Sequence, residues 1–234
     1  MKVNILTLFP EMFPGFLGYS LAGKALEKGL WDLKITNIRD FSDDAYKTVD
    51  DVPFGGGAGM IMKVDVLDRA LSAVYHGGPL YYMSPRGKTL TQERVVEMAS
   101  FPEITIVCGR FEGIDERIFA LYPMEEVSIG DFVLSGGEPA ALTMLDAVLR
   151  YLPSVLGKKE SLSEESFSNG LLEYPQYTRP QEYRGQTVPD VLLSGHHKNI
   201  SLWRKAQSES LTQQRRPDLW QRYEQASIKK EGLK

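Results

Sequence analysis

Strand-like and helix-like runs alternate over residues 1–150. That order admits little besides a layered α/β fold on a mainly parallel sheet. VNILTLF (3–9) is an apolar, β-rich run ended by Pro10, and LKITNI (33–38) alternates as a strand does. Between them a helical stretch, Ser20–Lys28, stops at Gly29. A glycine-rich loop, FGGGAGM (54–60), precedes a helical pattern at Val64–Tyr75. PLYYMS (79–84) reads as a strand and SPRGK (84–88) as the turn after it. Thr91 is placed to cap a helix reaching Ala99. ITIVCG (104–109) is the most apolar run and is expected at the centre of the sheet. Glu138–Tyr151 is a helix with Leu142, Leu145, Val148 and Leu149 on one face.

The composition changes near Pro153. GKKESLSEESFSNG (157–170) is polar, charged and serine-rich, as mobile linkers are. YPQYTRP (174–180) reads as extended. A helical region follows from Lys198 to Gln225, broken by Pro217, with Trp203, Leu211, Leu219, Trp220 and Tyr223 available for a small core. The expected domains are therefore an α/β ligand-binding domain at 1–156, a flexible linker at 157–170 and a helical domain at 171–234. Charge follows the same division. Residues 1–170 carry 16 Lys and Arg against 24 Asp and Glu, whereas residues 171–234 carry 11 against 7. A basic C-terminal part beside an acidic remainder hints at a nucleic-acid partner.

Several classes drop out. Cys108 is the only cysteine, so there is no disulfide framework and no cysteine-based zinc site. No apolar run is long enough for a membrane helix, and no cleavage site follows the N-terminal apolar stretch, so a cytoplasmic location is expected. His196 and His197 are adjacent and His76 lies apart, which gives no metal constellation. Gly18–Lys24 approximates a phosphate-binding loop, but Ala25 stands where Ser or Thr must bind magnesium. FGGGAGM has Met60 at the third glycine of a dinucleotide fingerprint.

Residues 108–137 are the informative region. CGRFEGIDER (108–117) and SIGDFVLSGGE (128–138) each follow a strand, as SPRG (84–87) does. Three such loops at the carboxyl ends of parallel strands can converge on one small ligand. Glycine frees backbone groups to bond a heterocycle edge, Ile129 and Leu134 offer apolar walls, and Glu112 suits a cationic or hydroxyl group.

These motifs, together with TLFPEMF (7–13), TVDDVPFGGGAGMIM (48–62), GLLEYPQYTRP (171–180) and VLLSGHH (191–197), resemble the bacterial tRNA (guanine-N(1)-)-methyltransferases of the TrmD type, in the SPOUT superfamily. The resemblance runs through nearly the whole chain in order. It implies a SPOUT-type parallel sheet with a C-terminal trefoil knot, although chain-topology rules alone would give a simple doubly wound sheet. It implies S-adenosyl-L-methionine as cofactor, with S-adenosyl-L-homocysteine as product. Matching residues are Tyr82, Met83, Ser84 and Pro85; Gly109, Phe111, Glu112 and Gly113; and Ser128, Ile129, Gly130, Asp131, Phe132, Val133 and Leu134 with Gly136 and Gly137. Magnesium is compatible with the family, though the sequence shows no site for it.

By the same resemblance the acceptor is N1 of guanosine 37 in tRNA, next to the anticodon. Glu165 stands where the family has its aspartate base, with Glu164 beside it, and Arg150 matches the catalytic arginine. Lys205, Arg215 and Arg216 are candidate phosphate contacts. The family is homodimeric, with its active site at the subunit interface. Departures such as Glu173, Gln176 and His196 touch RNA contacts rather than the reaction class. A SPOUT enzyme with another RNA acceptor and a non-catalytic RNA-binding homologue are the alternatives.

Overall fold

The period-two pattern of the strands becomes two buried faces. In β1 (Lys2–Thr7), Val3 and Ile5 face one side of the sheet and Leu6 the other. β6 (Glu103–Cys108) does the same with Ile104, Ile106 and Cys108 against Val107. The other strands of this sheet are β2 (Asp32–Asn37), β5 (Leu80–Thr89) and β7 (Met124–Ser128). Their spatial order is β2-β1-β6-β5-β7, with every pairing parallel. β6 is central, as its apolar run predicts. Parallel strands need cover on both faces. One face is covered by α1 (Ser20–Glu27), α3 (Gln92–Ala99) and α5 (Gly137–Leu149), the other by α2 (Val64–Val74) and α4 (Ile118–Leu121). A short antiparallel pair, β3 (Asp50–Asp51) with β4 (Ile61–Met62), brackets the FGGGAGM loop.

This computed structural model describes residues 1–156 and 164–231. The chain divides into two compact units, Met1–Gly157 and Lys158–Lys234. Residues 157–163 of the expected linker lie outside the described residues. Residues 164–170 form turns within the second unit, where Ser166 Oγ accepts from Glu173 N at 3.0 Å and Phe167 N donates to Leu171 O at 2.8 Å.

The second unit contains α6 (Asp190–Leu193), α7 (His197–Arg215) and α8 (Pro217–Glu231). Pro217 starts a helix here, at the position where its missing N–H and fixed φ are harmless. The unit also has a hairpin not anticipated from the sequence, β8 (Glu182–Tyr183) with β9 (Gln186–Thr187). Arg184 and Gly185 both have positive φ, which the tightest hairpin turns require. The aromatic core expected there is only partly buried. The deeply buried side chains are Ser208 and Thr212, and Thr212 Oγ1 donates to Ser208 O at 2.7 Å while accepting from Leu172 N at 2.8 Å. Among the described residues no helix is long and apolar enough to cross a membrane.

Ile106 tests the packing of the sheet. It is fully buried at the middle of the central strand. Ile106→Val removes one methylene and is expected to cost about 1 kcal/mol, read from the denaturant midpoint with an unchanged slope.

Candidate active site

The carboxyl ends of β5, β6 and β7 open into a cleft of about 780 Å³. That size suits a small organic ligand, and the position is where open α/β sheets bind theirs. Every residue matched above to cofactor binding lines it, from Tyr82 to Gly137, except Asp131. Pro53, Phe54 and Ile61 from the glycine-rich loop region line it too, as do Arg86, Arg110 and Ile114.

SPRGK is not the expected turn. β5 continues through it to Thr89, and the register slips, so that Met83 and Lys88 both pair with Val127. Residues 84–87 are thrown out as a wide bulge, which presents Ser84 and Pro85 to the cleft. Gly87 lets the chain return. A Cβ there would stand 2.4 Å from the backbone of Glu126 and Val127. Gly137 serves the same end across the cleft. Its N–H donates to Gly109 O at 2.9 Å, and a Cβ would stand 2.8 Å from Cys108 Cα.

The loop after β6 is braced by the loop before β4. Glu112 N donates to Met60 O and Met62 N to Gly113 O, each at 2.9 Å. Phe111 sits at φ 58°, a left-handed conformation that costs a non-glycine residue about 1–2 kcal/mol and is found most often at functional loops. Its ring is half exposed, as are Phe132 and Leu134, and Phe54 and Val133 are more exposed still. An apolar rim of this kind around one cleft marks a ligand or partner surface. Deeper in, burial pushes the Tyr82 hydroxyl up to about 12, so it stays protonated as a donor. Burial also raises the Cys108 thiol well above its usual value, which makes it an inert core group rather than a nucleophile. Arg86 at the rim is engaged by Glu126 Oε1 at 3.0 Å and Glu116 Oε2 at 3.2 Å.

The other candidates lie elsewhere in the two units. Arg150 is the residue that ends α5 in the first unit. Glu165 lines a smaller cavity in the second unit with Tyr174, Arg204 and Lys205. There Glu164 accepts from Tyr174 Oη at 2.7 Å, and Arg204 lies over the Tyr174 ring at 4.7 Å. Lys205 pairs loosely with Glu209 at 3.6 Å on α7. Arg215 occupies the last turn of that helix. Arg216 is forked onto Asp218 at 2.9 and 2.7 Å, and this holds the Asp218 carboxyl down at about 2. Among the described residues no cluster of three His, Cys, Asp or Glu is placed to hold a metal. The Gly18–Lys24 segment has α1 beginning inside it at Ser20, which is not the strand–loop–helix order of a phosphate loop.

The sequence reading missed Arg110 and Glu138, which meet at 2.9 Å with Glu138 fully buried. A glutamate at the start of a helix is an ordinary first-turn acid, so only its burial signals more.

Comparison with known proteins agrees with the motifs. The family described as tRNA (Guanine-1)-methyltransferase TrmD matches residues 1–222. A tRNA (guanine-N(1)-)-methyltransferase of Rhodospirillum rubrum is 59% identical over 224 residues, which are 95% of this chain and 94% of that one. One of Mesorhizobium japonicum is 60% identical over 221 residues, covering 93% and 95%. One of Novosphingobium aromaticivorans is 59% identical over 223 residues, covering 94% and 91%. On this evidence the chain belongs to the tRNA (Guanine-1)-methyltransferase TrmD family.

Proposed function

We propose that this chain transfers a methyl group from S-adenosyl-L-methionine to N1 of guanosine 37 in tRNA, as a cytoplasmic homodimer. The observation that carries the reading is the convergence of the three family motifs on one cleft at the strand ends. The cleft fits the cofactor by its chemistry. It offers glycine backbone for a heterocycle edge, Ile129 and Leu134 for apolar contact, and Glu112 for a polar group, and its volume is that of a small-molecule site. The trefoil knot is the form that the family resemblance gives this region.

S-adenosylmethionine supplies a sulfonium methyl that is already electrophilic. The protein's task is the other half. Guanine N1 carries a proton and attacks only as that proton leaves. Glu165 accepts it as general base. Arg150 stabilises the negative charge that develops on the guanine oxygen. Both act on a base extruded from the anticodon loop. The basic C-terminal part holds the RNA through Lys205, Arg215 and Arg216, with Arg216 exchanging Asp218 for phosphate.

Labelled S-adenosylmethionine is offered with a tRNA bearing guanosines at 36 and 37, and with a variant changed at 37. Label on the first alone, recovered as 1-methylguanosine, is expected. A ribose-methylated nucleoside, or equal labelling of both tRNAs, would overturn the assignment.

A further inference from the structure

One side chain ties the cleft's loops together. Arg110 leaves the end of β6 with Nε 2.9 Å from Glu138 Oε2. Its Nη1 donates to Ser135 O at 3.3 Å, and its guanidinium lies 4.3 Å from the centre of the Phe9 ring. Glu138 is fully buried in the first turn of α5, and its Oε1 accepts from Thr7 Oγ1 at 2.7 Å. Thr7 Oγ1 in turn accepts from Phe9 N at 2.9 Å. The end of β1, the loop after β6 and the segment before α5 therefore meet at one buried charge pair. The Arg110–Glu138 approach lies outside hydrogen-bond geometry, so the attraction is ionic. Gly136 makes room for it, since a Cβ there would stand 2.3 Å from Arg110 Nε.

A buried pair of this kind is a poor source of net stability, because desolvation consumes most of the attraction. It is well suited to fixing geometry, since among the described residues neither member has another ion-pair partner. Both walls of the cleft hang from it. Arg110 itself belongs to the 109–113 loop, Ser135 lies in the 128–137 segment, and Glu138 follows directly after it in α5.

We propose that Arg110, acting through Glu138, is the positioning residue of the cleft: it sets the 128–137 segment against the 109–113 loop and so tunes cofactor affinity without touching the transferred group. The inference rests on the cofactor reading above. A lysine in place of Arg110 keeps the charge that Glu138 needs but cannot also bond Ser135 and stack on Phe9.

Calorimetric titration with S-adenosylhomocysteine reads the effect directly. Binding by the unaltered chain comes first, and its absence would overturn both the cofactor reading and this inference. Arg110→Lys is expected to weaken binding at least tenfold, while the KM for tRNA changes less than twofold. A merely structural loss would instead lower the fraction of competent sites at unchanged affinity. Glu138→Gln is expected to weaken binding as much, and the double variant no more than the weaker single, because both act as one unit. Should Glu138→Gln fail to fold, Thr7→Val loosens the same carboxylate by one hydrogen bond, and a twofold to fivefold loss is expected. Unchanged affinity in Arg110→Lys, or losses that multiply in the double variant, would overturn the inference alone.

Discussion

Glu165→Ala is expected to slow single-turnover methyl transfer by roughly 10²–10⁴-fold, the range for removing a general base. Affinity for S-adenosylhomocysteine should stay within twofold, because the cleft is lined wholly by residues of the first unit. The loss should appear in the chemical step and not in either binding constant. Glu165→Asp restores the residue usual in the family. Its carboxylate is one methylene shorter, and recovery to within about tenfold of the unaltered rate is expected, since a misplacement near 1 Å costs up to about 10².

Glu164 provides the discriminating comparison. Its carboxylate already accepts from Tyr174 Oη and lies 3.7 Å from Arg204, which favours a fixed, structural role. Glu164→Ala should therefore slow transfer less than tenfold. The reverse ranking, with Glu164→Ala the more damaging, would move the base to Glu164 and leave Glu165 as its neighbour.

What the sequence made legible was local. The apolar, β-rich runs VNILTLF and ITIVCG gave strands, and Thr91 gave a cap whose Oγ1 does accept from Arg94 N. Gly29, just past α1, marked a helix end. What stayed hidden depends on partners distant in the chain. SPRGK has the composition of a turn, yet tertiary pairing to β7 stretches it into a strand on both sides of a bulge. Glu138 looks like any acid at a helix start, and only folding brings Arg110 and Thr7 to it. In the second unit the aromatic residues advertised a core, but the helices and the segment packed on them bury these side chains only in part. The hairpin there is too short for its alternation to register. The three-loop cleft lies between these extremes, because each loop was recognisable by its glycines while their convergence is a property of parallel strand order.

Gly87→Ala should produce the largest loss of stability of any single methyl addition near the cleft. The added carbon would stand 2.4 Å from Glu126 C and Val127 N and 2.5 Å from Glu126 O. All three are backbone atoms of a strand paired in the sheet, so no flexible side chain can yield. Backbone conformation is not the obstacle, since Gly87 is absent from the left-handed residues. The cost is overpacking, about 3 kcal/mol at the upper end of its usual range. For a unit of this size that lowers Tm by roughly 6–12 °C. Lys88→Ala, at an exposed neighbour, should move Tm by less than about 2 °C. The two readouts for Gly87→Ala should fall together. Ser84 and Pro85 reach the cleft only because the bulge closes against β7 at Gly87, so affinity for S-adenosylhomocysteine should drop as well. If stability falls but affinity holds, the bulge has another anchor, and Arg86 through Glu126 would be the one to remove next. If neither falls, the two segments are not in close backbone contact.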